Sequence, residues 1–188
     1  MVRAYERAGP ATGQSFWKAT LAAQGIRVTT PADQIAHIPQ TGPVILVANH
    51  PHGMVDGMVL AELIGRQRSD YRILSRSLLT SLDAEATRFM ISVPFPDQPD
   101  AQAKMIEMRR EVMEHLAQDG LVALFPSGVV ASAPSVFATV QEAEWNVFTA
   151  KLIRMSGATV VPCYFSGANS RSYQIANRIS PLLRQSLL

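Results

Sequence analysis

Short apolar runs alternate with amphipathic segments along this chain. The run Val44–Ala48 is too short for a helix and begins with β-branched residues, so it predicts a central β-strand. Similar runs predict strands at Tyr71–Ser75, Leu121–Phe125 and Ala158–Phe165. Pro162 removes one backbone donor from the last of these, which predicts a strand that is paired on one side only at that point, or bulged.

Amphipathic segments between these runs predict helices. They cover Gln14–Gly25, about Asp56–Arg66, about Ala101–Gln118, and a segment from Trp145 that Gly157 ends. Asp83 is expected to cap a short helix that continues through Met90. The alternation of strand and helix patterns predicts an α/β fold with a mostly parallel central sheet flanked by helices.

The first predicted helix has two interpretations. Phe16 and Trp17 lie on or near one face, which is typical of a helix packed on the core. The alternative is a membrane-interface helix within residues 1–30, with Trp17 at the level of the lipid head groups and Lys18 and Arg27 nearby. The pattern alone leaves both interpretations open.

The composition is that of one globular domain. The chain has 188 residues, 47% of them hydrophobic, and no repeat or linker divides it, so residues 1–188 are interpreted as a single domain. A formal net charge of +2 does not support a nucleic-acid-binding function. Cys163 is the sole cysteine, which favours a reducing compartment and leaves no cysteine cluster for zinc. No apolar run approaches the ~18 residues of a spanning helix, and no signal-peptide core is visible, so a cytoplasmic protein is expected.

A histidine and an aspartate follow the first predicted strand. His50 comes just after Val44–Ala48, and Asp56 lies in the first turn of the next helix. An imidazole braced by a carboxylate acts as a general base near neutral pH. The carboxyl end of a strand is also where open α/β sheets bind ligands. The pair therefore predicts a base that acts on a hydroxyl group.

Spacing leaves the identity of this base open. His50 and Asp56 do not share a face of a regular helix, so they meet only if Pro51-His52-Gly53 folds irregularly, which Gly53 makes easy. His52 lies four residues before Asp56 and is an equal rival on spacing alone. The alternative to both is that His50 and Asp56 only cap the helix.

Two later strand ends carry small and polar residues. Phe125-Pro126-Ser127-Gly128 could present backbone amides or the Ser127 hydroxyl to a phosphate or an oxyanion, although such a tetrapeptide is also a common turn. Ser127 lacks the G-x-S-x-G elbow of an acyl nucleophile. After the last predicted strand, Asn169 and Arg171 could hold a polar or anionic head group. Cys163 lies inside an apolar strand and is expected to be a small buried hydrophobic residue.

In their order along the chain, these segments resemble the glycerolipid acyltransferases of the lysophosphatidate type, and in particular their bacterial haemolysin-like branch, which includes lyso-ornithine-lipid acyltransferases. The resemblance runs from about Ile38 to Arg184. In its first block the branch has N-H-P-x-G-x-x-D-G, and this sequence has the matching residues from Asn49 to Gly57. The family's base falls on His50 in this block, whereas His52 falls on a variable position.

The later blocks depart from the family pattern. The third block usually reads F-P-E-G-T-R and here reads F-P-S-G-V-V over residues 125–130. The missing glutamate and arginine commonly hold a glycerol-phosphate head group, which counts against lysophosphatidate as the acceptor. Arg76 and Pro94–Asp97 lie where the second block would fall, and Trp145–Ser170 resembles the late block. The candidate substrate-binding residues are Gly53, Arg76, Pro126, Ser127, Gly128, Asn169 and Arg171.

The resemblance implies an O-acyltransferase of the glycerol-3-phosphate-acyltransferase-like fold. It would move a fatty acyl group from acyl carrier protein or CoA to a lysolipid hydroxyl in membrane lipid biosynthesis, peripherally at the inner face of the cell membrane. His50 would be the general base, Asp56 would orient it, and amides near Gly53 or Gly128 would stabilise the oxyanion. No cofactor and no metal are required, but the acyl chain needs an apolar groove. The alternatives are a thioesterase or lipid hydrolase that uses the same pair, and a non-catalytic lipid-binding module. Chains of this kind are expected to continue past Leu188.

Overall fold

A single β-sheet forms the centre of the computed structural model, which describes residues 11–76, 84–135 and 138–179. Five strands pair in the order β3-β2-β4-β1-β5, and every neighbouring pair is parallel. The strands are β1 Val44–Ala48, β2 Tyr71–Arg76, β3 Met90–Val93, β4 Leu121–Leu124 and β5 Thr159–Cys163. The predicted α/β class is confirmed, and β1 lies in the interior of the sheet between two partners.

Helices connect the strands, because parallel pairing requires crossover segments. They are α1 Ser15–Ala23, α2 Ala32–Ile35, α3 Met54–Ile64, α4 Ala84–Thr87, α5 Ala101–Ala117, α6 Val147–Ser156 and α7 Arg171–Ile179. Helix α6 begins at Val147 rather than at Trp145, because the Asn146 side chain caps it by accepting a hydrogen bond from the amide of Phe148 at 2.8 Å. Gly157 ends α6 in the left-handed conformation, as predicted.

Strand β3 is the main departure from the predicted order of elements. The pattern predicts a helix through Met90, but α4 ends at Thr87 and Met90 begins β3. This strand is too short to show a period in the sequence. It forms because β2 offers a parallel partner, from Ile73 opposite Met90 onward. The predicted cap at Asp83 lies outside the described residues.

Strand β5 lies at an edge of the sheet. Its Pro162 stands opposite Val47 of β1, and the other side of β5 has no partner among the described strands. The missing donor of Pro162 therefore interrupts no second ladder. The prediction that this strand is paired on one side is confirmed.

The side chains of β1 bury both faces of the sheet. Val44, Leu46 and Ala48 join a cluster under α1 and α3, whereas Ile45 and Val47 join a second cluster under α5 and α6. All of these residues are buried. A continuous apolar run of this kind is the pattern expected where helices cover both faces of a parallel sheet.

Helix α1 packs into the core. Trp17 is 2% exposed, and its ring meets Phe16 and Phe89 edge-on at centroid distances of 5.0 and 5.8 Å. Aromatic pairs favour this arrangement. The structure thus corrects the interfacial interpretation of Trp17, because a side chain held in the core cannot lie among lipid head groups.

The carboxyl ends of three strands lie side by side. Val47 near the end of β1 stands opposite Leu124 of β4, and Ala48 stands opposite Cys163 of β5. The segments that follow these strands therefore meet at the end of the sheet where the strands finish. In parallel sheets ligands bind at this carboxyl end.

A buried arginine joins the segments at the opposite end of the sheet, where the strands begin. The side chain of Arg68 is 2% exposed, and its guanidinium donates to the carbonyl oxygens of Pro39, Gly42 and Asp119 and to both carboxylate oxygens of Asp70. These bonds join the segments that precede β1, β2 and β4. The hydrogen bonds from Arg68 hold the pKa of the Asp70 carboxyl below its ordinary value of 3.8.

Replacement of this arginine is expected to destabilise the fold. Arg68→Leu should lower the free energy of unfolding by about 2–4 kcal/mol, because three carbonyl groups and a carboxylate lose their donor. Arg110→Leu is the control, since the Arg110–Glu114 pair is exposed on both sides and should contribute less than about 1 kcal/mol. Urea unfolding at pH 7 measures both variants, and equal small losses would contradict the role of Arg68.

The ion pair between Arg68 and Asp70 also predicts that the stability of the fold depends on pH. The pKa of Asp70 is lower in the folded protein, so its contribution to stability is present above pH 3.8 and is lost as the pH falls through the folded-state pKa. The difference in unfolding free energy between wild type and Arg68→Leu should therefore narrow in acid. Urea unfolding at a series of pH values measures this, and a difference that widens in acid would contradict the assignment.

Candidate functional site

The segment after β1 is anchored to the segment after β5. The side chain of Asn49 donates from Nδ2 to the carbonyl oxygen of Phe165 at 2.9 Å and accepts from its amide at 2.7 Å. This pair of bonds imitates the ladder contact that β1 and β5 make one step earlier. The chain therefore leaves the sheet at Asn49 in a fixed direction, and His50 follows.

An irregular turn brings Asp56 back toward this segment. Gly53 has φ +77°, a conformation that side-chain-bearing residues rarely adopt, and α3 begins directly after it. Asp56 is then the third residue of the helix and is 1% exposed. The irregular fold of Pro51-His52-Gly53 that the pairing requires is thus present.

Asp56 receives hydrogen bonds at both carboxylate oxygens. Its Oδ2 accepts from Nδ1 of His50 at 2.9 Å, from the amide of His52 at 2.8 Å and from the amide of Gly53 at 3.0 Å. Its Oδ1 lies 3.0 Å from Nδ1 of His52. A carboxylate has about four acceptor positions, so this buried group is saturated, and it caps the helix and binds both imidazoles at once.

The two rings share one tautomer. An ionised carboxylate can only accept hydrogen bonds, so Nδ1 of His50 and Nδ1 of His52 both carry a proton when they bind Asp56. In a neutral imidazole this leaves the lone pair on Nε2. Each ring can therefore take up one further proton at Nε2, and His50, His52 and Asp56 form what we call the imidazole–carboxylate group.

The surroundings of the two rings differ. The ring of His50 stacks on Phe125 at a centroid distance of 4.0 Å and an interplanar angle of 18°. The side chain of His52 is more exposed, at 31% against 16%. Nε2 of His52 faces Gly167 in the segment after β5. A β-carbon placed on this glycine would lie only 3.3 Å from that nitrogen. His50 is therefore the more firmly held of the two, and Nε2 of His52 is partly covered by protein.

The main chain of His50 is held by the segment that follows β4. Its carbonyl oxygen accepts from the amide of Ala131 at 2.8 Å, and its amide donates to Oε2 of Glu142 at 3.1 Å. Neither Glu142 nor the stacking of Phe125 is among the sequence-predicted roles. No local spacing signals them, because Glu142 lies 92 residues from His50 along the chain.

The predicted Pro126-Ser127-Gly128 segment forms a turn beside Phe125. The amide of Gly128 donates to the carbonyl oxygen of Phe125 at 2.9 Å, and the hydroxyl of Ser127 donates to the carbonyl oxygen of Val129 at 3.0 Å. The amide of Gly53 is likewise bound to Asp56. The amides of Gly53 and Gly128 themselves already have acceptors, so the stabilisation of an oxyanion by amides near these glycines stays a prediction about their neighbours.

Arg76 lies close to this turn. It ends β2, its Nη1 donates to the carbonyl oxygen of Pro94 at 3.1 Å, and its guanidinium lies 5.3 Å from the centroid of the Phe95 ring. A β-carbon on Gly128 would be 3.9 Å from Nη2 of Arg76. The structure thus brings a predicted cation to the turn that adjoins the stacked ring of His50.

The two predicted residues after β5 have different positions. The amide of Asn169 donates to the carbonyl oxygen of Pro51 at 3.3 Å, so this residue contacts the His50 segment. Its side-chain Nδ2 is buried and has no hydrogen-bond partner among the described residues. Arg171 is exposed at the start of α7, and no hydrogen bond or ion pair with another described residue holds its side chain.

The remaining candidate chemistry is limited. Burial and, to a smaller extent, the charge of Asp56 raise the pKa of the Cys163 thiol, which disfavours a thiolate nucleophile. Within the described ranges, no group of three His, Cys, Asp or Glu side chains could hold a metal ion.

Two surface cavities have volumes of about 420 Å³ each. One is lined mainly by residues of α1 and α3, and the other is lined by residues of α5. Neither adjoins the imidazole–carboxylate group, so neither is the expected apolar groove.

Comparison with known proteins gives one family and two relatives. The sequence model of a family described as acyltransferase matches residues 9–185. A lyso-glycine lipid O-acyltransferase of Phocaeicola vulgatus is 27% identical over 146 residues, which cover 76% of this chain and 49% of the relative. A lyso-glycine lipid O-acyltransferase of Bacteroides thetaiotaomicron is 30% identical over 146 residues, which cover 76% of this chain and 50% of the relative.

The chain spans about half the length of the curated relatives that it matches. In the part of the chain that the structure describes, no helix is both long enough and apolar enough to cross a bilayer.

Proposed function

This chain belongs to the acyltransferase family, and we propose that it transfers a fatty acyl group from an acyl thioester to the hydroxyl of a lysolipid. The observation that carries the proposal is the buried Asp56 carboxylate, which holds the Nδ1 atom of His50 at 2.9 Å and so leaves Nε2 of a fixed ring as a proton acceptor. The names of the two curated relatives support a lysolipid as the acceptor.

The proposed reaction uses His50 first as a base and then as an acid. Nε2 removes the hydroxyl proton while the hydroxyl oxygen attacks the thioester carbonyl carbon. The tetrahedral adduct then collapses, the C–S bond breaks, and the imidazolium gives its proton to the departing thiolate. Asp56 stabilises the imidazolium between these steps. Base catalysis of this kind contributes about 10²- to 10⁴-fold in rate.

The oxyanion of the adduct needs other donors than the amides of Gly53 and Gly128. At the first turn of α3, the amides of Met54 and Val55 have no hydrogen-bond acceptor among the described residues. They follow Gly53 directly, and the amino end of a helix favours negative charge. We assign these two amides to the oxyanion.

The acceptor is proposed to carry an amino-acid head group, either the glycine type that the relatives are named for or the ornithine type. Residues 125–130 lack the glutamate and arginine that commonly hold a glycerol phosphate. Arg76 beside Gly128 supplies a cation for an anionic head group. Asn169, with a buried and unpartnered Nδ2 near Pro51, supplies a second donor.

The partners follow from this chemistry. The donor is proposed to be acyl carrier protein or CoA carrying the acyl chain, and the lysolipid is taken from a membrane surface on the cytoplasmic side. Two apolar side chains stand exposed: Met54, two residues before Asp56, at 37%, and Val129, two residues before Ala131, at 46%. They supply apolar surface for acyl chains at the edge where the reaction is proposed to occur.

The decisive experiment separates transfer from hydrolysis. The protein is incubated with a labelled acyl thioester and a panel of lysolipids with glycine, ornithine and glycerol-phosphate head groups. The proposal predicts one new ester per thiol released, with the amino-acid lipids preferred over lysophosphatidate. Free fatty acid without a new lipid would instead identify a thioesterase. Bound lipid without thiol release would identify a binding module.

A further inference from the structure

We propose that Glu142 is a positioning residue that fixes the main chain of His50 for catalysis, an inference that rests on the function proposed above. Among the described contacts, no hydrogen bond joins the carboxylate to the ring. The carboxylate accepts the backbone amide of His50 at Oε2, at 3.1 Å, and so acts on the base through the peptide that carries it.

The need for this contact follows from the end of the sheet. Strand β1 pairs with β4 only as far as Val47 opposite Leu124, and β4 then turns away at Pro126. His50 lies three residues beyond that last pair and has no ladder partner on the β4 side. A backbone amide and carbonyl at such a position need replacement partners if the ring is to stay in place.

A short bridge supplies both partners. Ser132 and Gln141 form an isolated antiparallel bridge, with hydrogen bonds of 3.1 and 3.0 Å between their main chains. The residues just outside it, Ala131 and Glu142, are thereby held close together. Ala131 donates its amide to the His50 carbonyl, and Glu142 accepts the His50 amide. The bridge thus presents a donor and an acceptor to one peptide segment.

The carboxylate of Glu142 uses only Oε2 for the His50 amide, at 3.1 Å. The other oxygen, Oε1, is buried and has no hydrogen-bond partner among the described residues. Burial of a half-used carboxylate is unfavourable. The position of Glu142 therefore lowers the stability of the fold, which is expected where a residue is needed for the geometry of a site rather than for stability.

His50 is consequently fixed at three points. Asp56 binds Nδ1, Phe125 stacks on the ring, and Ala131 and Glu142 hold the main chain. Loss of the main-chain contact would let the ring shift without removing it. Displacements of about 1 Å from remote substitutions cost up to about 10²-fold in rate.

The test compares Glu142→Ala, Glu142→Gln and Glu144→Ala. Glu142→Ala should lower kcat about 10- to 100-fold, with unchanged KM values for donor and acceptor, because only the base is displaced. Glu142→Gln keeps an oxygen for the His50 amide and should restore most of kcat. Glu144 is exposed two residues after Glu142, and Glu144→Ala should match wild type. Thermal unfolding shows whether each variant is folded.

Four outcomes would overturn the assignment. They are wild-type kcat in Glu142→Ala, a loss confined to KM, a loss in Glu142→Gln as large as in Glu142→Ala, and an equal loss in Glu144→Ala. If Glu142→Ala does not fold, Glu142→Asp replaces it, since the shorter carboxylate keeps the charge but withdraws from the amide. Wild type and His50→Gln are measured alongside. Absence of transfer in wild type would refute the proposed function itself, whereas transfer that depends on His50 but not on Glu142 would refute only this inference.

Discussion

His50→Gln is expected to lose acyl transfer by about 10²- to 10⁴-fold in kcat, the amount that a general base contributes. Glutamine has nearly the length of histidine and keeps a polar amide in the site, but it offers no atom that takes up a proton at neutral pH. The proton transfer from the acceptor hydroxyl is therefore lost. The rate of ester formation from a labelled acyl thioester measures the effect.

The stability of His50→Gln must be measured as well, so that a loss of activity is not caused by unfolding. The ring of His50 contributes stacking on Phe125, and its main-chain bonds to Ala131 and Glu142 do not depend on the side chain. The free energy of unfolding of His50→Gln should therefore fall only by the loss of this stacking, about 0.5–1.5 kcal/mol, and the protein should remain folded. A folded His50→Gln protein with undiminished transfer would end the assignment of His50 as the base.

Asp56→Asn is expected to lower kcat by about 10²- to 10⁴-fold as well, for a different reason. An amide oxygen in the place of Oδ2 can still accept from Nδ1 of His50 and from the amides of His52 and Gly53. The negative charge that stabilises the imidazolium is gone, however. The loss should appear in kcat and much less in KM.

Asp56→Ala separates the two roles of this carboxylate. It removes every acceptor from a site that is 1% exposed, so the amides of His52 and Gly53 lose their partner. Each buried donor left unsatisfied costs about 1–3 kcal/mol. Urea unfolding should therefore show a much larger loss for Asp56→Ala than for Asp56→Asn, although both lose activity. Wild-type kcat in a folded Asp56→Asn protein would contradict the proposed electrostatic role.

The predictable part of the fold is the part that each segment determines locally. The run Val44–Ala48 shows its strand directly, because helices cover both faces and every position must be apolar. Strand β3 gives no such signal, since it consists of Met90–Val93 and depends on the neighbouring β2 for its partner. Trp17 likewise has the same sequence context whether it faces lipid or a core, and only packing against Phe89 decides.

The contacts of the candidate site are likewise of two kinds, local ones that the sequence predicts and long-range ones that it does not. The contact between His50 and Asp56 spans six residues and could be inferred from a glycine that permits the turn. The contacts of His50 with Phe125 and Glu142 join distant parts of the chain, so no spacing reveals them. Amides near Gly53 or Gly128 were predicted as oxyanion donors from their position, but hydrogen bonds within each turn occupy the amides of the two glycines themselves.

One alternative from the sequence is still present in the structure. Both His50 and His52 bind Asp56 through Nδ1, at 2.9 and 3.0 Å, so both have the tautomer that a base requires. The family pattern, the stacking on Phe125 and the cover of Gly167 over Nε2 of His52 all favour His50. One of two similar rings, that of His50, is therefore expected to do the chemistry.

The most direct test measures single-turnover transfer to a lysolipid by His50→Gln and His52→Gln side by side. Both variants replace an imidazole that binds the same carboxylate, so each is the matched control of the other. We expect His50→Gln to lose the reaction and His52→Gln to keep much of the wild-type rate. Transfer that persists in His50→Gln and disappears in His52→Gln would contradict this expectation.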